Sequence, residues 1–457
     1  MTITTILPAP AAQLRRRFVY RPELRLLYDT RSGLEHRLND TAGTFVDATF
    51  VSPDPVAVLA GGYRVAPEQI AQDLAVFWFT VWNAPQRPQP RRRSGDSLGW
   101  AQTDVPFPLA LEVELTRMCN WHCGFCYNVW KVSDEEGVRG RSDTGFTPDV
   151  HMSLTTAHAV IQQAAEGKCL RMRFSGGEPT LHPDYREIVA AAASAGMDVE
   201  LFTNGIRMTA AEARRLVDVG LRVALFSVHG LDETHNAMAR NPGAAGQAWR
   251  GMRAAVAAGL TTVAEALVCA DNLHEMPELT RRLVDLGVSD VSFMPYVPVG
   301  PADPRRPVLL AQLAETIDEC TAALDGLRVR VPCAPRHCLT PEPTAINDPV
   351  RPEFDNHCAA GLLWASVSYD GMFRHCPHSS TYAGAVGDGL ARLWRERMVP
   401  TVRRALAPAG ACAGCGQLSA CGGGCHLGKV RAYPGAAAPG GRVLLPLAPT
   451  GASGCGR

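Results

Sequence analysis

The sequence predicts an α/β protein built around a parallel sheet with crossover helices, preceded by a small module of strands and helices and followed by a cysteine-rich segment. Three observations carry this. Between about residues 105 and 310, short apolar strands alternate with amphipathic helices at the spacing of repeated strand–helix units. A proline- and arginine-rich stretch, Asn83 to Gly99, separates that region from what precedes it. Cys119, Cys123 and Cys126 follow directly on the alternating run Leu109 to Leu115, and seven more cysteines crowd residues 358–457.

In the middle region the strands are expected at Leu109 to Leu115, Leu170 to Phe174, Met197 to Phe202, Leu221 to Val228, Thr261 to Val268 and Asp290 to Phe293. Helices fall between them at Leu154 to Glu166, Pro183 to Ala195, Ala210 to Val219, Gly243 to Ala258 and Met276 to Leu286. In the front module, β-like pieces are Phe18 to Tyr20, Leu24 to Tyr28 and Leu34 to Leu38, the last two joined by an Asp-Thr-Arg-Ser-Gly turn. Helices are expected at Thr41 to Thr49, with Asn39 as cap, Pro53 to Leu59 and Pro67 to Trp82. Strands followed by helices in so short a stretch suggest a winged-helix-like unit. Its last helix is acidic and aromatic, whereas a DNA-reading helix needs Arg, Lys or Asn. Phe77, Trp78, Phe79 and Trp82 also exceed what one helix face buries in a small domain.

Composition bounds the class. The chain has 457 residues, enough for roughly two to four domains. Lys plus Arg and Asp plus Glu balance at 45 each, so no general nucleic-acid or acidic-membrane partner is indicated. The first arginines, Arg15 to Arg17, follow a mildly apolar stretch, the reverse of a signal peptide, and no apolar run reaches membrane-spanning length. The expectation is a cytoplasmic protein. Thiols stay reduced there, so its 15 cysteines read as metal ligands rather than disulfides. Cys169, Cys269 and Cys320 fall on helix edges or strands and are expected as buried core thiols.

Three thiolates in one loop make an incomplete site. Soft thiolates favour zinc or iron–sulfur iron, and three of them leave a position open for chemistry. A zinc knuckle and a redox pair with a spare thiol are the bland alternatives. The spacing of three residues and then two resembles that of the radical S-adenosylmethionine (radical SAM) enzymes. The resemblance implies a partial (β/α)6 barrel whose cysteine loop carries a [4Fe–4S] cluster with SAM on its unligated iron. One electron then cleaves SAM to a 5′-deoxyadenosyl radical that abstracts a substrate hydrogen.

Arg171 to Ser175 runs into Gly176-Gly177-Glu178-Pro179, where paired glycines permit close backbone approach and Glu178 adds a carboxylate. The match implies that this segment holds the SAM ammonium group. By the same resemblance, Asn204 after the third strand and Ser227 at the end of the fourth approach the SAM ribose and carboxylate. Arg240 meets the carboxylate, and Tyr127 lies near the adenine. This chain departs from relatives at His229, where they often have Asp.

The C-terminal cysteines resemble the SPASM domain: Cys358, twelve residues, Gly371, four residues, Cys376, then Cys412-x2-Cys415-x5-Cys421-x3-Cys425 and Cys455. The resemblance implies two auxiliary [4Fe–4S] clusters, and hence three in all. Cys358, Cys376 and Cys425 would ligate the first, and Cys412, Cys415, Cys421 and Cys455 the second. The first lacks an obvious fourth ligand. Pro352 stands where some relatives have cysteine, and Cys333, Cys338 and His357 are the substitutes at hand.

Arg21-Pro-Glu-Leu-Arg-Leu-Leu-Tyr28, Leu38-Asn-Asp-Thr-Ala42 and Ala66 to Phe77 resemble the peptide-binding chaperone of pyrroloquinoline quinone biosynthesis and related RiPP recognition elements. These bind a leader peptide by strand addition. The expected order is a recognition domain at 15–84, a linker at 85–104, the barrel at 105–310, a bridge at 311–357 and a SPASM domain at 358–457. The combined resemblance implies a radical SAM/SPASM maturase of ribosomally made peptides, forming a thioether or carbon–carbon cross-link. Its partners would be a precursor peptide with its leader and a flavodoxin- or ferredoxin-type electron donor. Other readings are a sulfatase-type maturase, a quinone-cofactor maturase, and a leader-binding iron–sulfur scaffold without radical chemistry.

Overall fold

The computed structural model of the chain describes residues 7–29, 35–84, 105–127, 132–133, 150–288, 290–296, 306–308, 310–322, 328–332, 354–355, 358–379, 381–407 and 413. They divide into two compact units, the first made up mainly of the N-terminal part up to Arg92, with Gly196–Asp198 among its further residues. In the first, strands β1 (Phe18–Arg21), β2 (Leu26–Asp29) and β3 (Glu35–Arg37) form an antiparallel sheet in that order. Helices Asp40–Val51, Pro55–Tyr63 and Pro67–Trp82 follow, and a short helix, Ala11–Arg17, precedes. Asn39 caps the first of the three by accepting the Ala42 N–H at 2.8 Å, as expected of that residue type.

Trp78 is fully buried at the centre of this unit's core and donates its indole N–H to Thr49 Oγ1 at 3.0 Å, which removes the cost of burying that donor. Phe18, Phe45, Phe50 and Phe77 surround it, and Trp82 packs at the margin under the Arg17 guanidinium. The aromatic excess noted in the sequence is thus mostly internal. Phe79 alone of that group is exposed. The turn expected at 29–33 and the linker at 85–104 lie largely outside the described residues.

The second unit is organised by one eleven-stranded sheet among the described residues, in the order β13-β12-β11-β10-β9-β8-β7-β4-β14-β15-β16. The strands are β4 (Ala110–Thr116), β7 (Arg171–Gly176), β8 (Asp198–Thr203), β9 (Leu221–Ser227), β10 (Thr261–Val268), β11 (Asp290–Pro295), β12 (Arg328–Pro332), β13 (Phe354–Asp355), β14 (Trp364–Val367), β15 (Met372–Arg374) and β16 (Gly384–Ala385). The short pair β5 (Met118–Cys119) and β6 (Val132–Ser133) stands apart. Six strands, β4 and β7 to β11, match the expected units within two residues at most ends, and the helices between them likewise.

Two features were not expected. A helix at Asp232–Ala239 buries only His235, Met238 and Ala239, too few apolar positions to announce itself. The hairpin β14–β15 and strand β16, within the segment expected as a separate domain, extend the main sheet, with β14 parallel to β4. Gly371, at φ +78°, makes the turn between β14 and β15.

One sheet face, carrying Leu111, Val113, Leu115, Met172, Phe174, Val199, Leu201, Ala224 and Phe226, is buried and apolar and faces the crossover helices. The opposite face alternates with it and is partly charged, with Glu112, Glu114, Arg173, Glu200 and Glu265. Among the described residues no helix is long and apolar enough to cross a membrane.

Candidate functional site

The cysteine loop begins where β4 ends. Thr116 turns its hydroxyl to accept the Met118 N–H at 3.0 Å, and β5 carries Cys119 into the loop. Cys119 is buried against Trp121, Ala239, Ala244 and Ala248, while Cys123 and Cys126 are half-buried and closed by a Cys126 N–H to Cys123 O bond of 3.3 Å. None of the three forms a disulfide. The His122 N–H donates to Ala239 O at 3.1 Å, which ties the loop to the end of the Asp232–Ala239 helix.

The glycine pair is explained by this loop. The Gly177 N–H donates to Thr116 O and the Glu178 N–H to Met118 O, both at 2.7 Å. A Cβ on Gly176 would stand 2.3 Å from Thr116 O, and one on Gly177 1.9 Å from Met118 O. Gly176 also adopts φ +131°, which favours glycine. The sequence reading assigned the pair to close approach of a ligand. Their first duty, however, is to let the β7 tip seat on the cysteine-loop backbone.

Glu178 is 1% exposed and accepts four hydrogen bonds: from the Thr180 N–H (3.2 Å) and hydroxyl (2.6 Å), the Thr203 hydroxyl (2.9 Å) and the Asn204 N–H (2.8 Å). Burial raises its proton affinity, and these donors oppose that. The carboxylate therefore fastens the ends of β7 and β8 together. Asn204 continues the chain of contacts, donating its side-chain N–H to Asn120 Oδ1 at 2.6 Å, inside the cysteine loop. Gly176, Gly177, Glu178, Asn204 and the loop are thus one connected assembly.

Other candidate positions fall as follows. Ser227 ends β9 in register with Glu265. Arg240 is exposed and caps the Asp232–Ala239 helix in the left-handed conformation at φ +51°, next to the carbonyl that receives His122. Tyr127 lies with its ring 4.1 Å from that of His378, centroid to centroid, and His378 is two residues past Cys376. A second link joins the same two segments: Arg374 pairs with Glu114 at 2.5 Å, both buried. Cys358 and Cys376 are half-buried and outside any disulfide, whereas Cys412, Cys415, Cys421, Cys425 and Cys455 lie outside the described residues, as do Cys333, Cys338 and His357. Cys169, Cys269 and Cys320 are buried core thiols, as expected, and burial pushes Cys320 up to about 11.

His229, the position that departs from relatives, is built into the framework. Its Nδ1 accepts the Leu267 N–H at 3.1 Å, its own N–H donates to His235 Nδ1 at 2.9 Å, and its ring meets Phe125 of the cysteine loop edge-on at 4.7 Å. His235 is fully buried, and burial pulls its pKa down to about 4, so it is neutral. Among the described residues no three His, Cys, Asp or Glu side chains converge on one metal ion. Thiolates that each take a different iron of one cluster need no such convergence, whereas a zinc knuckle does. The donor set of three thiols outside any disulfide, one side of which is closed by the glycine pair and Glu178, fits a cluster with one open iron.

The charged face of the sheet was missed by sequence reasoning. Its signal was present as Glu112 and Glu114, Arg171 and Arg173, and Glu265, charged residues at period two inside strands that a parallel sheet normally makes apolar.

Residues 113–283 match the family model of the radical SAM superfamily. The PqqA peptide cyclase of Bradyrhizobium diazoefficiens is 27% identical over 225 residues, 49% of this chain and 56% of that protein. The chain thus spans little more than half the length of that relative. The mycofactocin maturase MftC of Mycobacterium tuberculosis is 26% identical over 332 residues, 70% of this chain and 79% of that protein. Crystal structures of Streptococcus suis SuiB, alone, bound to S-adenosylmethionine and bound to its precursor peptide SuiA, superpose with TM-scores of 0.62, 0.64 and 0.63. They are 16%, 15% and 15% identical, and the match covers 90% of this chain and 94% of SuiB in each case. Residues 113–283 are thus similar to the radical SAM superfamily, and the chain shares its fold with SuiB.

Proposed function

We propose that the chain is a SAM-dependent radical enzyme that forms a thioether or carbon–carbon cross-link within a ribosomally made peptide. The observation that carries the reading is the assembly of Cys119, Cys123 and Cys126 with Gly176, Gly177 and Glu178, the loop and the β7 tip seated on one another through backbone contacts. Cys119, Cys123 and Cys126 would hold the [4Fe–4S] cluster, and bound together the cluster and SAM supply a 5′-deoxyadenosyl radical. Glu178 fixes the β7 and β8 tips on which the SAM ammonium would rest, with Asn204 held by it and by Asn120. Ser227, Tyr127 and Arg240 complete the proposed SAM contacts.

The peptide reading is supported by relatives named for acting on peptides, one as a peptide cyclase and one bound to its precursor. The three-stranded sheet of the first unit has the short strand β3 at one edge, and that edge suits leader capture by strand addition. Cys358, Cys376 and Cys425 would hold a first auxiliary cluster and Cys412, Cys415, Cys421 and Cys455 a second, with an external flavodoxin- or ferredoxin-type donor supplying electrons. The test is SAM cleavage by anaerobically reconstituted, dithionite-reduced protein. Formation of 5′-deoxyadenosine is expected, and its complete loss when Cys119, Cys123 and Cys126 are replaced by Ala while other iron stays bound. Undiminished cleavage in that variant would refute the assignment.

A further inference from the structure

Trp121 stands midway in sequence between Cys119 and Cys123 and is buried. It belongs to one apolar cluster with Cys119, Ala239, Ala244 and Ala248, against which Cys123 and Ile206 also pack. Its backbone N–H donates to Cys119 Sγ at 3.4 Å. Its indole N–H is shut off from water and has no hydrogen-bond acceptor among the described residues. A buried indole N–H normally finds a partner, as that of Trp78 does in Thr49 Oγ1, because leaving it unmade is costly. The indole of the cysteine loop therefore calls for an acceptor.

The neighbouring ring is not that acceptor. His235 meets the indole edge-on, with ring centroids 5.1 Å apart. Its Nδ1 already receives the His229 N–H, and burial holds the ring neutral, so its hydrogen lies on Nε2. His235 thus turns a second N–H, not a lone pair, to its surroundings, and that Nε2 is also without a partner among the described residues. The alanines and Ile206 of the cluster carry only hydrocarbon side chains, and the Ala239 carbonyl already accepts the His122 N–H. Sulfur, of Cys119 and Cys123, is the one side-chain acceptor in that cluster.

We propose that the Trp121 indole N–H donates a hydrogen bond to a sulfur of the iron–sulfur cluster that Cys119, Cys123 and Cys126 would hold, and thereby raises its reduction potential. This rests on the radical SAM reading above. Trp121 then gives two donors, main-chain and indole, to one sulfur-rich site. Reduction adds one electron from the external flavodoxin- or ferredoxin-type donor, with no bond made or broken. The added negative charge strengthens every hydrogen bond to sulfur, so such a donor favours the reduced form over the oxidised one. His235 is a positioning residue that braces the indole, itself held by His229, whose ring lies 5.4 Å away and seats Phe125 of the same loop.

The test is a redox titration of the full, anaerobically reconstituted chain, followed by the EPR signal that is abolished when Cys119, Cys123 and Cys126 are replaced by Ala. Trp121→Phe keeps an aromatic ring in the cluster of side chains and removes the N–H. At a fixed potential it should lower the ratio of reduced to oxidised iron–sulfur centre about tenfold, a shift of about 59 mV to more negative values for a one-electron couple. His235→Phe keeps the indole N–H and should shift the midpoint less. Parent protein labelled with nitrogen-15 at the tryptophan indoles should show a nitrogen coupling to the reduced centre in pulsed EPR, absent from labelled Trp121→Phe; the parent measurement needs no variant to load iron. An unchanged or more positive midpoint in Trp121→Phe, a larger shift in His235→Phe, or a labelled parent without the coupling would overturn the proposal. Failure of the radical reading would appear separately, as absent 5′-deoxyadenosine with the EPR signal, its midpoint difference and its nitrogen coupling intact.

Discussion

Replacing Gly177 with Ala isolates the contact on which the proposed radical site is built. The new methyl would stand 1.9 Å from Met118 O, whereas an ordinary carbon–oxygen contact is no shorter than roughly 3.3 Å. The β7 tip must therefore withdraw by roughly 1.4 Å from the cysteine loop. Two hydrogen bonds, from Gly177 to Thr116 and from Glu178 to Met118, both 2.7 Å long, would stretch past about 4 Å and cease to exist. At about 1 kcal/mol of net value each, and more where a buried donor is left unmade, the loss comes to about 2–5 kcal/mol. A whole domain has about 5–15 kcal/mol in hand, so the variant should fold and carry a loosened site. Urea unfolding followed by tryptophan fluorescence reads the stability. 5′-Deoxyadenosine formation reads the site, where a displacement of about 1 Å costs about a hundredfold. Gly387→Ala, where nothing stands within 4 Å of an added Cβ, is the control and should change stability by less than about 0.5 kcal/mol. A Gly177→Ala protein with parental midpoint and parental SAM cleavage would refute the reasoning.

Three further outcomes are expected. Anaerobic reconstitution should load three [4Fe–4S] clusters, roughly twelve iron atoms per chain; zinc, or iron for one cluster only, would remove the SPASM assignment. Deleting residues 15–84 should collapse turnover of a leader-bearing precursor and spare uncoupled SAM cleavage, because only binding energy remote from the reacting atoms is lost. Modification of the full precursor at the parental rate by the truncated enzyme would show that the module is not a recognition element. Glu265, lifted from 4.5 to about 7 by burial, holds a proton in the folded chain that the unfolded chain has lost, so stability should fall as pH rises through that window. After allowance for its partial exposure the fall is about 1–2 kcal/mol. Urea midpoints of Glu265→Gln should lack this component, and a slope equal to the parent's would contradict it.

The six strands and their crossover helices were legible because each strand places apolar residues on the helix-covered face, and each helix repeats them at its own period. Cys119, Cys123, Cys126 and Glu178 stood out in the sequence as candidates for chemistry, because three thiols so closely spaced have few structural uses. Their mutual arrangement was not legible, since the Gly177 contact with Met118 joins residues whose neighbourhood no spacing encodes. The pairings on the charged face were hidden for a related reason: Glu112 faces Arg173, and Glu265 faces Ser292, only once register is fixed. Strands β14 to β16 were masked by a stronger signal, the cysteine pattern that surrounds them.

The pairing of β14 with β4 changes where this chain can be cut. A fragment that stops before Cys358 would leave the outer edge of β4 with a row of unanswered amides and carbonyls, an invitation to intermolecular strand pairing. That edge belongs to the strand that launches the cysteine loop. Shuffling of C-terminal segments between related chains should therefore respect a seam after Ala385, leaving β14 to β16 with the sheet they complete, rather than one at the first cysteine of the motif.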